Sequence, residues 1–286
     1  MTQKSAALAV LLACAALSNP AFATATASAS LQGFSLSLVD LQYDFYGPSF
    51  GWIAEGPNSN SQVVVSVADD GSYTGQYNVG FAGLRYPTST TADFGPGLAH
   101  ASAAFSGDGS IENYGLAVSG SANGSVAGVK NYFGAAAYVN YGIHYSLGNF
   151  VLGPQTQVTF SALSSVALHT DSPMDEYADA RAGFSVDYQG QNFGDGIGIC
   201  SEPPFVEGPP TTCTGGVIGH DLSFSELLSV TLSNPTNASV VGTFYAGAVA
   251  NGSAMTSAVP EPASYGLFAS GLALMGLVLR RRRSLA

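Results

Sequence analysis

The sequence predicts an all-β protein whose body is a single jelly-roll-like β-sandwich, and three observations carry that prediction. Between Leu31 and Ala254 apolar residues recur at every second position, and no helical pattern of about a dozen residues interrupts them. Turn chemistry punctuates these runs at Asp69-Asp70-Gly71, Asp108-Gly109, Asn123-Gly124, Tyr188-Gln189-Gly190 and Asn234-Pro235. Composition agrees: 46% of residues are apolar and only 9% charged, so the surface is polar through hydroxyls and amides.

The strand signals follow in order. Val63–Val67 and Gly80–Leu84 come first. In Phe133–Leu147 the residues Phe133, Ala135, Ala137, Val139, Tyr141, Ile143, Tyr145 and Leu147 share one face. After a Gly153-Pro154 break, Val158, Phe160, Ala162, Val166 and Leu168 form a second apolar face. Ala182–Tyr188, Leu222–Leu232 and Val240–Val249 complete the set, for roughly ten to twelve strands, within the range of a two-sheet sandwich. No fixed-period repeat demands a propeller or β-helix, although Gly- and Asn-rich strands leave a solenoid open.

Both ends read as targeting segments. Residues 1–23 have a positive n-region at Lys4, an apolar stretch Ala6–Leu17 and an Ala21-Phe22-Ala23 cleavage site, the three parts of a secretory leader. Leu11-Leu12-Ala13-Cys14 loosely resembles a lipoprotein box, but Leu12 is bulky for its place there. Residues 24–30 are expected as a linker, 31–254 as the body and 255–286 as a tail. In that tail Val259-Pro260-Glu261-Pro262 precedes an uncharged run, residues 263–279, and then Arg280, Arg281, Arg282 and Arg283. A helix over that run spans about 25 Å, slightly short of a ~30 Å hydrocarbon core, a mismatch that snorkelling arginines absorb. The arginines stay cytoplasmic, which places the body outside. The prolines disfavour helix and leave an extended strip just outside the membrane for a protease to bind.

Charge narrows the partners. Lys4 and the four terminal arginines leave Arg85, Lys130 and Arg181 as the only bases of the body. All acids but Glu261 precede the tail, so eighteen acids against three bases make the body −15, against −11 for the whole chain. Such a body repels nucleic acid and anionic lipid.

The tail resembles the PEP-CTERM sorting signal: the Pro260-Glu261-Pro262 triplet, the apolar helix and the basic cluster stand in the family's order over about the last 28 residues. The leader implies export by the Sec machinery with signal peptidase, and the resemblance implies transient anchoring by the C-terminal helix and processing by an exosortase-type membrane protease. It also implies a cell-surface or matrix destination beside exopolysaccharide. It says little about the body.

Searching the body for chemistry finds no zinc-protease spacing among His100, His144, His169 and His220, no nucleophile elbow and no phosphate loop. Gly194-Asp195-Gly196-Ile197-Gly198 has no following helix and reads as a turn. His220-Asp221 are strand neighbours, which point to opposite faces. Cys200 and Cys213 bracket a proline-rich loop, and in an oxidising compartment this predicts a disulfide. Asp171, Asp175, Glu176 and Asp179 crowd one loop as a candidate Ca²⁺ site; a solvated acidic loop is the other reading. Tyr43, Tyr46 and Trp52 lie in an aromatic segment that either contacts carbohydrate or caps the core.

The expectation is therefore a non-enzymatic exported protein without an obligate cofactor. Two alternatives stay open: a carbohydrate-active enzyme using paired carboxylates on a jelly-roll scaffold, and a permanently membrane-anchored protein.

Overall fold

The computed structural model describes residues 23–42, 47–52, 61–69, 75–82, 86–108, 111–124, 129–139, 150–171, 176–201 and 217–255. The predicted leader and apolar tail helix lie outside them, apart from Ala23. Fifteen strands are present among the described residues. They are β1 (Ala23–Asp40), β2 (Phe50–Trp52), β3 (Ser61–Asp69), β4 (Gly75–Ala82), β5 (Thr88–Phe94), β6 (Ala99–Ser106), β7 (Gly115–Gly124) and β8 (Lys130–Val139). Then come β9 (Phe150–Leu152), β10 (Thr156–Thr170), β11 (Glu176–Tyr188), β12 (Gln191–Cys200), β13 (Val217–Ile218), β14 (Asp221–Asn234) and β15 (Val240–Met255). One 3-10 turn, Ile111–Asn113, precedes β7.

The strands form two sheets. One has the order β14-β10-β1-β7-β6-β5, the other β13-β12-β11-β15-β8-β3-β4, with β9 and β2 added beside β15. All pairings are antiparallel except β12 with β13. The sheets meet face to face in matching order, β10 on β11, β1 on β15, β7 on β8 and β5 on β4. Alternation explains the core: in β8 every second residue from Asn131 to Val139 is buried, and β10 and β11 alternate similarly.

Residues 24–30, expected above as a linker, instead form the first half of β1, a central strand paired with both β10 and β7. Ala25, Ala27, Ala29 and Leu31 point inward. The register then shifts between Gln32 and Ser35, where Gly33 takes φ +60°, a left-handed backbone that favours glycine. This bulge moves the inward parity from odd to even residues, so Phe34 enters the core beside Phe184 and Phe244. An unbroken alternation would have turned Phe34 to solvent.

One half of the core is aromatic and the other alanine-rich. Phe50, Phe150, Phe160, Phe244 and Phe184 form a continuous run with successive ring centroids 5.4–5.6 Å apart. Elsewhere Ala25, Ala27, Ala101, Ala137, Ala180, Ala248 and Ala250 line both inner faces. Phe133 enters that small-residue half because Gly120 and Gly252 leave it room; a Cβ on either would lie within 2.4 Å of its ring.

Both open sides of the stack are stitched. Asn78 donates to Thr91 O at 2.7 Å and Gln76 accepts from Asp93 N, joining β4 to β5. Asp195 on β12 accepts from Ser229 N of β14 at 2.7 Å. These bonds occupy edge groups that would otherwise template pairing with another chain.

Candidate functional site

The predicted candidates divide into those the structure describes and those outside it. Pro260, Glu261, Pro262 and Arg280–Arg283 lie outside, as do Tyr43, Tyr46, Asp175 and Cys213. Trp52 ends β2, in register with Phe150 of β9. Two residues earlier, Phe50 stacks on Phe150 with ring centroids 5.4 Å apart and packs against the core. Cys200 closes β12 and is 2% exposed.

The three described acids of the candidate Ca²⁺ loop go separate ways. Asp171 Oδ1 lies 3.0 Å from His169 Nε2. Glu176, fully buried at the start of β11, accepts from Asp171 N. Asp179 is 2% exposed and pairs with Arg181 Nε at 3.2 Å. Glu176 and Asp179 are three residues apart in one strand and therefore belong to opposite faces. Among the described residues no group of three or more His, Cys, Asp or Glu side chains is arranged to hold a metal.

Asp179 also acts on Tyr177, whose phenol is pushed up to about 12, first by burial and then by the Asp179 charge and hydrogen bond, with Arg181 opposing. Tyr188 moves in the same direction by burial.

His220 lies in a bend just before β14, which begins at Asp221, and the two side chains do not share a partner. His220 Nδ1 bonds Thr170 Oγ1 at 2.9 Å, whereas Asp221 stands in register with His169. Three other carboxylates serve local structure: Asp187 accepts from Asn192 at 2.6 Å, Asp108 from Asn113 at 2.7 Å, and Asp40 from Gln42 N at 3.0 Å.

Two surface features escaped the sequence reading. The outer face of the first sheet is a shallow trough of about 410 Å³ paved by hydroxyls and small side chains. Register aligns Ser223, Ala167, Ser28, Ser119, Ser102 and Thr91 straight across six strands. Ser102 and Ser119 are hydrogen-bonded at 2.8 Å, and Ser165 and Ser225 at 3.0 Å. The adjacent row reads Asp221, His169, Thr26, Ser121, His100 and Asp93, with His100 Nδ1 2.7 Å from Asp93 Oδ1.

The second feature is a groove of about 580 Å³ on the outer face of the other sheet. Gly247, Gly183 and Gly196 stand side by side in β15, β11 and β12. Tyr138 covers Gly247, whose Cβ would lie 3.0 Å from the ring. Both features join residues far apart in sequence; the outward Ser and Thr parity of β1, β7 and β10 was the signal available for the trough.

Against known proteins, residues 258–283 match the family model of the PEP-CTERM protein-sorting motif. No curated protein and no solved structure matches the chain, so its body is assigned to no family.

Proposed function

We propose that this chain is an exported, non-enzymatic surface or matrix protein whose tail is handed to an exosortase and whose β-sandwich body stands beside exopolysaccharide. The sorting motif at residues 258–283 carries the reading: its match supports an exosortase substrate exported with a membrane-anchored tail. The non-enzymatic part is supported by Asp195, Asp187, Asp108 and Asp179, which hold a sheet edge, local loops and an ion pair. The hydroxyl-paved trough offers hydrogen-bonding groups to a neutral polymer, and the acidic body disfavours an anionic one.

Within this reading Cys200 and Cys213 close their loop as a disulfide, for which the burial of Cys200 at the end of β12 speaks. A bridge across that loop contributes about 3 kcal/mol.

Intact-mass analysis of the protein recovered from the cell surface and medium tests the sorting. The mature chain is expected to begin after Ala23 and to lack Arg280–Arg283. Retention of the arginines would instead establish a permanent anchor. A glycan array with and without Ca²⁺ tests the rest: retention without turnover agrees with the proposal, and released product would make the body an enzyme.

A further inference from the structure

β14 is the last strand of its sheet, and among the described residues no strand pairs with its outer edge. Two hydrogen bonds fix which backbone groups that edge presents. Thr170 N of β10 donates to His220 O, just before β14, whereas Ser229 N points away from β10 to Asp195 Oδ2. Backbone direction alternates along a strand, so even-numbered residues of β14 pair with β10. The odd-numbered ones from Asp221 to Ser233 turn their N–H and C=O groups to the edge.

The side chains leave half of this strand uncovered. From Asp221 to Leu227 no residue is buried, whereas Leu228, Val230, Leu232 and Asn234 are. Leu227 is 66% exposed, and Leu163, its register partner on β10, is 48% exposed beside it on the outer face. Phe224 shares the inward parity of Leu228 and Val230, yet is 39% exposed.

We propose that this edge takes the same edge of a second copy, antiparallel about a twofold axis at Leu227. That axis uses the strand from Asp221 to Ser233 whole. Leu227 then faces the partner's Leu227, and with Leu163 on each side the leucines form one row across four strands. Ser225 faces the partner's Ser229, and Ser223 the partner's Thr231. This is the hydroxyl pairing that β14 already makes with β10, at Ser165 with Ser225 and Thr159 with Thr231. Phe224 meets the partner's Val230, so each uncovered half lies against the other copy's buried half.

Charge selects the same register. Asp221 faces the partner's Ser233 and Glu226 the partner's Leu228, so no acid opposes an acid. Moving the axis to Glu226 would set that carboxylate against its own copy, and moving it to Leu228 would lose the leucine pair. The facing residues offer about 14 backbone hydrogen bonds, against about 10 in a typical interface. Asp195 competes for one of these groups, Ser229 N, and must yield it. None of this depends on the sorting tail.

The test uses the full chain in detergent solution, with single cysteines added to the edge and mild oxidation followed on non-reducing gels. Facing residues of such a pair have Cα atoms about 5.5 Å apart, within the range a disulfide spans. Leu227→Cys is expected to form covalent dimers at least fivefold faster than Ser225→Cys or Ser229→Cys alone. Mixing the two serine variants should restore the fast rate, because each then faces the other. Equal rates at all three positions, as copies held together elsewhere would give, would overturn the proposal, and so would rates no higher than the parent's. Leu227→Lys sets two cations face to face on an exposed site. It should raise the dimer Kd in sedimentation equilibrium at least tenfold with an unchanged thermal melt, and an unchanged Kd would also overturn the proposal.

Discussion

Placing a methyl group at Gly120 tests how the two sheets are fitted together. Gly120 is an inward-facing residue of β7, and a Cβ there would lie 2.1 Å from Cδ2, 2.6 Å from Cε2 and 2.8 Å from Cγ of Phe133. Carbon atoms pack favourably at about 3.5–4.0 Å, so the ring must retreat by well over 1 Å. Phe133 is 3% exposed, and Gly252 bounds its other side, where a Cβ would already be 2.4 Å from Cε1. With no retreat available, Gly120→Ala falls toward the upper part of the overpacking range, about 1–3 kcal/mol. The entropy that alanine removes from the unfolded chain offsets only about 0.4–1 kcal/mol of this. For a body of this size, a net loss of about 1–2 kcal/mol lowers the melting midpoint by roughly 2–8 °C. Urea unfolding of the parent, Gly120→Ala, Phe133→Leu and the double variant measures the coupling. Phe133→Leu alone should destabilise by opening space, yet in the Gly120→Ala background it should restore about 1–2 kcal/mol. A Gly120→Ala protein as stable as the parent, or strictly additive single effects, would refute this account of the core.

Four further outcomes are expected. Asp195→Ala frees the Ser229 N–H on the β14 edge, so self-association by light scattering should rise; unchanged scattering would mean that this bond does not guard the edge. Asn234, fully buried, donates to Gly153 O at 2.7 Å and Ala238 O at 2.8 Å and accepts from Thr236 Oγ1, so Asn234→Ala should cost about 2–4 kcal/mol in denaturant unfolding. Tyr177 has its folded pKa raised from 10.0 to about 12. The unfolded chain therefore loses this proton first as pH rises, and stability should fall from about pH 10 to about pH 12; Tyr177→Phe should flatten that part of a melting-temperature profile. Reducing a Cys200–Cys213 bridge should lower stability by about 3 kcal/mol, with Cys213→Ser matching the reduced parent rather than the oxidised one.

Much of the body was legible in its sequence because strand periodicity is a local property. The alternation from Phe133 to Val139 predicted the inward face of β8 residue by residue, and Val158, Phe160 and Ala162 did the same for β10. The Tyr188-Gln189-Gly190 signal holds for the same reason: Gln189 and Gly190 both take positive φ, as a two-residue hairpin turn requires. β1 was harder to read. Its first half alternates Ala with Thr and Ser, too weakly apolar to mark a strand, and the bulge at Gly33 breaks the pattern. Its pairing partners β10 and β7, and β15 that covers its inner face, all come from distant parts of the chain. The three described acids of the candidate Ca²⁺ loop show the same limit. Proximity in sequence put four acids together, whereas the start of β11 sends Glu176 inward and gives Asp179 to Arg181.

The sequence by itself determined the all-β class, the acidity of the body and the sorting motif at residues 258–283, because period, charge and a linear motif are all read within one stretch of chain. Only the tertiary structure decided which strands lie side by side. That pairing laid the Asp221-to-Asp93 row across six strands and set Phe133 between two glycines. Each depends on register between distant segments, and register is chosen by burying one face of every strand at once.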